Sequence, residues 1–286
     1  MLTIDAPAKL NLYLKILSKR EDGYHEIKTL FEKIDLCDTV TVDIGLENSI
    51  RCDLPKVPTG KESLIGKCVR RFSETAKIKE RFNIGINKKI PIAAGLGGGS
   101  SDAAAVLKGL NEITQEPLTI EQLIEIGKEL GADIPFFLTE YSFGFGKGKG
   151  ERIEKGETEV EMAHILLNPP YEVCTADIYS KVSAFNLTNT EGIDRMFNTF
   201  LKENDITSIA ENICNDLQTI VLQEIPPLEK AFKELIRAGA KGVLLSGSGP
   251  TVFGIFEKSG VKRAKEQLEK IFTPKDKWRI FEAHTY

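Results

Sequence analysis

A glycine-rich stretch that opens a helix of small residues constrains this chain more than any other feature. Residues 91–105 read Pro-Ile-Ala-Ala-Gly-Leu-Gly-Gly-Gly-Ser-Ser-Asp-Ala-Ala-Ala. Glycines lack the Cβ that would keep a backbone away from a ligand, and the unpaired N–H groups at the start of a helix favour an anion. The stretch therefore predicts a loop that binds a phosphate group. The alternative is a flexible turn that caps the helix, which four glycines within five positions make the weaker interpretation.

The spacing of the glycines differs from that of two common nucleotide-binding motifs. A P-loop would place a lysine directly after them, and none follows here. A dinucleotide-binding fingerprint would read Gly-x-Gly-x-x-Gly, with an acidic residue about 20 positions later, and the stretch does not fit it. The loop therefore argues against a P-loop NTPase and against a dehydrogenase.

Composition excludes further classes of protein. The 286 residues carry a net charge of −4, so the chain lacks the basic excess that binds nucleic acids or acidic membranes. Five scattered cysteines and only three histidines argue against a disulfide framework and a zinc site. No signal-peptide pattern is visible, and no apolar run approaches the roughly 20 residues that span a bilayer. We expect a cytoplasmic protein with a small-molecule substrate, and with neither nucleic acid nor a membrane as partner.

Hydrophobic periodicity predicts much of the secondary structure. Clean alternation predicts a strand over 9–17, on which Lys9 and Asn11 project from the same face. Further strands are predicted over 39–44, 82–86, 165–167, 242–245 and 252–256. Helices are predicted over 61–76, 101–110 and 228–236, and from a capping box at Thr119 and Gln122 to Gly131.

Two regions are less regular. Residues 145–150 hold a Gly-Lys repeat and are expected to form a mobile hinge or turn, and 186–225 are expected to hold helices with polar connections. Strands and helices mix along the chain without strict βαβ alternation. This favours an α+β protein of two domains that meet near residue 150, with bounds 1–150 and 151–286.

Three segments are informative in combination, namely Ala6-Pro-Ala-Lys-Leu-Asn11, the 91–105 stretch and Leu245-Ser-Gly-Ser-Gly-Pro-Thr251. In this order and spacing they resemble the motifs of the GHMP small-molecule kinases. With Asp22-Gly-Tyr-His-Glu26 and Gly131-Ala-Asp-Ile-Pro135, they resemble in particular the kinases of 4-diphosphocytidyl-2-C-methyl-D-erythritol. The resemblance covers nearly the whole chain and is weak between about 186 and 240.

The resemblance implies a fold and a reaction. The fold would be α+β with two domains, an N-terminal one like domain 2 of ribosomal protein S5 and a ferredoxin-like C-terminal one. The reaction would be the ATP- and Mg²⁺-dependent phosphorylation of the substrate's 2-hydroxyl in non-mevalonate isoprenoid synthesis. A GHMP kinase for mevalonate or homoserine, and a non-catalytic sensor of the same fold, are the alternatives.

The same resemblance assigns the catalytic residues as Lys9 and Asp133. A carboxylate within reach of an alcohol can accept its proton as the P–O bond forms. A nearby ammonium keeps that carboxylate ionised and stabilises negative charge on the nucleophile. We expect proton transfer to come late, with positioning and charge stabilisation providing much of the rate. The alternatives are that Asp133 caps a short helix before Pro135 and that Lys9 is a solvated edge charge.

The resemblance places ATP on the glycine-rich loop. The expected nucleotide-binding residues are Lys88, Pro91, Gly95, Leu96, Gly97, Gly98, Gly99, Ser100 and Ser101, with Lys88 near the adenine. Mg²⁺ would bridge the β- and γ-phosphates, and no protein-only metal site is expected. Asp102 either offsets the helix dipole or contacts the magnesium. Ser63 stands where the family has asparagine, so this part of the nucleotide pocket departs from the family pattern.

The expected substrate-binding residues are Asn11, Tyr24, His25, Thr175, Tyr179 and Gly247. In the family, aromatic residues at the positions of Tyr24 and Tyr179 stack on the cytosine, and the residue at the position of His25 binds the base edge. Ala176 replaces a proline that follows the family's threonine. The alternatives are that Tyr24 and His25 only form a turn, and that residues 246–250 only connect two strands.

Overall fold

The computed structural model describes residues 1–156, 160–182 and 205–286. Its strands are β1 (Leu2–Lys19), β2 (His25–Gly45), β3 (Ser49–Cys52), β4 (Arg81–Asn87), β5 (Phe143–Gly148), β6 (Arg152–Lys155), β7 (Ala163–Asn168), β8 (Cys214–Asn215), β9 (Gly242–Leu245), β10 (Val252–Phe256) and β11 (Arg279–His284). Its helices are α1 (Leu64–Ala76), α2 (Gly98–Ile113), α3 (Ile120–Leu130), α4 (Ile134–Leu138), α5 (Thr175–Ser180), α6 (Ile206–Asn212), α7 (Gln218–Glu224), α8 (Leu228–Arg237) and α9 (Lys258–Ile271).

The first of two compact units comprises Met1–Ala8, Cys37–Ile90 and Gly97–Glu140. Within it, the end of β2 pairs antiparallel with β4, which pairs parallel with β3. The small residues of α2, from Ala103 to Ala105, are buried where this helix packs against α1 and α4. The glycine-rich stretch thus leads into a largely buried helix of this unit.

The second unit comprises 9–36, Pro91–Leu96 and Tyr141–Tyr286. Within it, the first part of β2 pairs antiparallel with β5, which pairs with β6. The adjacent strand β1 pairs in parallel with the short strand β8, so that Tyr13 faces Cys214 and Leu14 faces Asn215. The strand that bears Lys9 and Asn11 thus lies between β2 and β8.

A four-stranded antiparallel sheet completes the second unit. Its spatial order is β11-β7-β10-β9, and helices connect β7 to β9 and β10 to β11. This is the βαββαβ arrangement of a ferredoxin-like domain. Apolar residues of β7 and β10 pack against those of α8 and α9 to form its core. The ferredoxin-like part that the resemblance implies is therefore present.

Most of the predicted elements are confirmed. The alternating segments lie in β1, β2, β4, β7, β9 and β10, and the capping box at Thr119 and Gln122 has both of its hydrogen bonds. Helix α1 begins at Leu64, three residues after the predicted start, because Ser63 is its N-cap. Helix α2 begins at Gly98, so two of the loop glycines belong to its first turn. The helices expected over 186–225 are seen at α6 and α7, and 186–204 lie outside the described residues.

The hinge predicted over 145–150 is wrong for most of its length. Residues 143–148 form β5 between β2 and β6, and only Lys149 to Glu151 turn. A Cβ at Gly146 would lie 2.8 Å from Cγ2 of Thr29 and 2.9 Å from the ring of Phe31. Gly146 therefore serves close packing on β2. The domain boundary predicted at residue 150 stays a prediction.

Candidate active site

The glycine-rich loop ends in a helix whose start is shaped for an anion. Gly97 is the N-cap of α2 with a φ of 69°, a left-handed conformation that side chains rarely adopt. Gly98 and Gly99 form the first turn, and the N–H of Ser101 closes that turn by donating to the carbonyl of Gly97 at 2.9 Å. The N–H groups that precede Ser101 have no partner within the helix. The first turn thus has the geometry that binds phosphate.

The earlier part of the loop, residues 91–96, belongs to the second unit and is held there by two hydrogen bonds. The N–H of Lys9 donates to the carbonyl of Leu96 at 3.0 Å, and Oγ of Ser246 donates to the carbonyl of Gly95 at 3.0 Å. Pro91 and Leu96 are buried, so they anchor the loop from within. Of the predicted nucleotide-binding residues, these two occupy anchoring positions.

Lys9 and Asn11 form a buried polar pair on β1. Nζ of Lys9 donates to Oδ1 of Asn11 at 2.5 Å, and Nδ2 of Asn11 donates to Oγ1 of Thr29 at 2.8 Å. Thr29 in turn donates to the carbonyl of Tyr13 at 2.7 Å, which fixes the orientation of the Asn11 amide. Both Lys9 and Asn11 are at most 4% exposed. The shared face predicted for them is confirmed, and Lys9 is not a solvated edge charge.

The third motif lies directly against this pair. A Cβ at Gly247 would lie 3.1 Å from Oδ1 of Asn11 and 3.2 Å from both Nζ of Lys9 and the carbonyl oxygen of Gly95. The absence of a side chain at Gly247 is what lets its backbone come this close. The second unit therefore brings together four of the predicted residues, Lys9, Asn11, Gly95 and Gly247.

A second group of predicted residues is aromatic. The rings of His25 and Tyr179 lie 5.4 Å apart at an angle of 33°, whereas Tyr24 is 58% exposed. Nζ of Lys149 lies 4.6 Å from the Tyr24 ring centroid, an attractive cation–π contact. Burial, with a smaller contribution from the charge of Lys19, lowers the pKa of His25. The neutral imidazole that results has one donor and one acceptor for a base edge.

Thr175 is joined to the third motif and not to the aromatic rings. Its Oγ1 lies 2.8 Å from Oγ of Ser248, and Thr175 begins α5, which also carries Tyr179. The contact therefore links the helix that carries Tyr179 to the segment that carries Gly247.

In the first unit, Asp133 stands at the N-cap position of α4, with Pro135 in the first turn. The capping alternative is not supported, because the carboxylate makes no capping hydrogen bond. The side chain is half-buried. Ser100 lies nearby on the same unit, since a Cβ at Gly131 would be 3.9 Å from its Oγ.

Lys88 lies at the centre of a buried ion-paired triad. Its ammonium contacts the carboxylates of Asp38 and Asp102, the latter at 2.6 Å, and its side chain is 5% exposed. The other oxygen of Asp38 accepts the N–H groups of Lys89 and Ile90 at 2.6 and 2.8 Å. The triad holds Lys88 beside the first turn of α2.

Asp102 occupies the other end of the triad. Burial raises its pKa to about 7, against the opposing effect of Lys88. Its Oδ1 is buried without a hydrogen-bond partner, and Oγ of Ser101 is also buried without one. Asp102 is thus not a solvent-exposed charge that offsets the helix dipole.

Several residues of the site were not predicted from the sequence. Asp38 had a detectable signal, because it lies in phase with the buried residues Val40 and Val42 of β2. An acidic residue at such a position needs a buried partner. Thr29 and Lys149 had no comparable signal, since threonine and lysine are ordinary residues on half-buried strands and turns.

Two features are absent from the described residues. Within residues 1–156, 160–182 and 205–286, no group of three or more His, Cys, Asp and Glu could hold a metal ion. Over the same part of the chain, no helix is both long and apolar enough to cross a bilayer.

Comparison with known proteins gives this geometry a context. The profile of the GHMP kinase N-terminal domain matches residues 63–141, and that of the GHMP kinase C-terminal domain matches 197–273. A 4-diphosphocytidyl-2-C-methyl-D-erythritol kinase of Geobacter metallireducens is 37% identical over 93% of each chain. One of the same name from Syntrophotalea carbinolica is 35% identical over 96% of each.

Solved structures agree with the sequence relatives. A crystal structure of 4-(cytidine 5′-diphospho)-2C-methyl-D-erythritol kinase superposes with a TM-score of 0.78 at 29% identity, over 99% of this chain and 98% of that one. Homoserine kinase of Cytophaga hutchinsonii superposes with a TM-score of 0.78 at 17% identity, over 100% of this chain and 94% of that one, which speaks for the fold alone. The predicted α+β GHMP kinase fold is confirmed. This chain therefore belongs to the GHMP kinases, ATP-dependent kinases of small molecules, and within them to the 4-diphosphocytidyl-2-C-methyl-D-erythritol kinase family.

Proposed function

We propose that this enzyme transfers the γ-phosphate of ATP to the 2-hydroxyl of 4-diphosphocytidyl-2-C-methyl-D-erythritol, giving the 2-phosphate and ADP. The observation that carries the proposal is the pair of rings formed by His25 and Tyr179, 5.4 Å apart, with Tyr24 exposed beside His25 in the sequence. Flat aromatic faces and a neutral imidazole suit a pyrimidine base. Mevalonate and homoserine have no base to bind, which makes this arrangement superfluous for them.

The family resemblance supports the catalytic roles. Asp133 accepts the proton of the 2-hydroxyl while the hydroxyl oxygen forms its bond to the γ-phosphorus. The bond between the γ-phosphorus and the oxygen that links it to the β-phosphate breaks. The ammonium of Lys9 stabilises the negative charge that develops on the nucleophile. Asn11 supports this role, because its amide holds the ammonium of Lys9 at 2.5 Å. The acceptor oxygen gains a phosphoryl group, and ADP leaves.

The phosphates are proposed to bind at the start of α2. The N–H groups of Gly97, Gly98, Gly99 and Ser100 are available there, and Ser101 closes the first turn. Mg²⁺ bound with the nucleotide would neutralise charge on the phosphates, and it would take most of its ligands from the nucleotide and water. The reaction is placed in the cytoplasm, with neither nucleic acid nor a membrane as partner.

We propose that Lys88 supports nucleotide binding indirectly, through its contacts with other residues of the protein. Its side chain is 5% exposed and its ammonium is ion-paired with two carboxylates, so it acts by fixing the first turn of α2. An ammonium has three N–H donors, so its two carboxylate contacts do not exclude a further contact with adenine. We therefore propose the supporting role for Lys88, and the adenine contact stays a prediction.

A coupled assay of ADP release tests the proposal. The acceptors are 4-diphosphocytidyl-2-C-methyl-D-erythritol, mevalonate and homoserine, each with the wild type, Asp133→Asn and Asp43→Asn, whose aspartate is a half-exposed surface control. We expect turnover with the cytidine compound alone, a kcat lower by about 10²- to 10⁴-fold in Asp133→Asn, and no change in Asp43→Asn.

The other outcomes separate the alternatives. Turnover with mevalonate or homoserine would still be the activity of a GHMP kinase, but it would refute recognition of the cytosine base. Intact ATP binding without turnover on any acceptor would favour a sensor built on this fold.

A further inference from the structure

Asn215 of β8 is a buried side chain whose three described hydrogen bonds all go to backbone atoms. Its Nδ2 donates to the carbonyls of Leu245 at 2.8 Å and of Gly247 at 2.7 Å. Its Oδ1 accepts the N–H of Leu217 at 2.9 Å, and the residue is 7% exposed. Both N–H donors of the amide are thus used, and its oxygen accepts one bond. The third motif is thus held at two points by a single amide.

The next residue, Asp216, attaches the same dipeptide to β1. Its Oδ2 accepts the N–H of Ile16 at 3.0 Å, and its Oδ1 pairs with Nζ of Lys15 at 2.7 Å. Its own N–H donates to the carbonyl of Leu14 at 3.0 Å. Asn215 and Asp216 therefore connect the third motif to β1 across two neighbouring positions of the chain.

The link between β1 and the third motif matters because each of these segments carries residues of the candidate site. Strand β1 carries Lys9 and Asn11, and the third motif carries Gly247, whose Cβ position is 3.1 Å from Oδ1 of Asn11. The carbonyl of Gly247 is one of the two groups that Asn215 holds. Asn215 therefore helps to hold Gly247 at its distance from the Lys9–Asn11 pair, together with the bonds from Ser246 to Gly95 and from Lys9 to Leu96.

Nothing else described on the third motif replaces this contact at Gly247. Gln218 accepts the N–H of Leu245 at 3.2 Å, and Ser246 donates to Gly95, but both act before Gly247 in the chain. Ser248 contacts Thr175 after it. Loss of the Asn215 amide would leave the peptide next to Lys9 without its buried donor.

We propose that Asn215 is a positioning residue for phosphoryl transfer, which acts through Gly247 on the geometry of Lys9 and Asn11. The proposal rests on the proposed kinase function. Asn215 does not need to touch substrate for this role. Misplacement of a reacting group by about 1 Å can reduce a rate about 100-fold, so the effect belongs in kcat.

The test compares Asn215→Ala with Asn212→Ala in the ADP-release assay, using the acceptor on which the wild type is most active. Asn212 is the matched control, because its Nδ2 makes a single local bond to the carbonyl of Ser208 at 2.7 Å on α6. We expect Asn215→Ala to lower kcat by about 10- to 100-fold with KM for ATP changed less than about threefold. Asn212→Ala should retain the wild-type kcat.

A double-mutant cycle with Asn11→Ala separates positioning from a merely structural role. If Asn215 acts through the Gly247–Asn11 contact, its removal should lower kcat less than about threefold once Asn11 is already alanine. Equal losses in both backgrounds, or a wild-type kcat in Asn215→Ala, would overturn the proposal. If Asn215→Ala does not fold, Asn215→Ser, which keeps one donor, must lower kcat at unchanged KM for ATP, and an unchanged kcat refutes the role.

The cycle also distinguishes the two proposals. A wild type that acts on mevalonate or homoserine refutes the proposed substrate, and the cycle then runs on that acceptor. A wild type without turnover on any acceptor overturns both.

Discussion

Gly95→Ala should be the most damaging single-methyl change in the second unit. Gly95 has a φ of 75°, and a Cβ there would lie under 3.0 Å from the carbonyl oxygen of Ser246 and 3.0 Å from N and O of Gly249. All three neighbours are backbone atoms, which cannot rotate away as a side chain can. The two segments would have to separate by more than 0.4 Å to restore ordinary contact, which begins at 3.4 Å.

The expected loss in the free energy of unfolding is the sum of two effects. The left-handed conformation costs an alanine about 1–2 kcal/mol. Overpacking against fixed neighbours costs about 1–3 kcal/mol more. We therefore expect Gly95→Ala to lower the free energy of unfolding by about 2–5 kcal/mol. Movement of the third motif should also reduce kcat, because Gly247 lies in the same segment.

Gly23→Ala is the matched control. Gly23 has a φ of 84° and nothing within 4 Å of its Cβ position, so it carries the conformational effect without the contact. Urea unfolding of both variants should give a loss of about 1–2 kcal/mol for Gly23→Ala and a clearly larger loss for Gly95→Ala. Equal losses would refute the close approach of the two segments.

Three further predictions concern the triad and the aromatic residues. Lys88→Met should lower the free energy of unfolding by about 3–5 kcal/mol, because it leaves two carboxylates buried without their cation, whereas the exposed Lys89→Met should change it by less than about 0.5 kcal/mol. The pKa of Asp102 is raised to about 7, so this carboxyl stays protonated to a higher pH in the folded protein than in the unfolded chain. The free energy of unfolding should therefore fall as the pH rises from about 4 to 7. Asp102→Asn should flatten that part of the stability curve, and an unchanged slope would contradict the argument. Tyr179→Ala should raise KM for the cytidine substrate by about 5- to 150-fold and leave KM for ATP unchanged, while Tyr171→Ala, an exposed control 44% accessible, should change neither constant.

Local patterns predicted the elements that depend on local physics. The alternation of β1 was readable because a half-buried strand repeats every two residues, and the capping box of α3 because its bonds span three residues. The start of α2 was placed three residues late, since glycine is a poor helix former, yet it is tolerated in a first turn. Strand β5 was missed because its glycines suggested flexibility, whereas Gly146 is there for lack of room beside Phe31.

The candidate site was predictable where its contacts are short-range or follow the family motifs. Lys9 and Asn11 lie two positions apart on one strand, so their shared face followed from the pleat. The triad of Asp38, Lys88 and Asp102 joins segments distant in the sequence, and no periodicity pairs them. The hydrogen bonds from Asn215 to the third motif could not be predicted from the sequence, because an asparagine before an acidic residue is also common in surface turns.

The central claim is most directly tested by competition among acceptors. Wild-type enzyme is given ATP labelled at the γ-phosphate and an equimolar mixture of 4-diphosphocytidyl-2-C-methyl-D-erythritol, mevalonate and homoserine. We expect label in the cytidine compound alone, with ³¹P NMR placing the new phosphate ester on the 2-oxygen. Label in mevalonate or homoserine, or an ester at another oxygen, would contradict it.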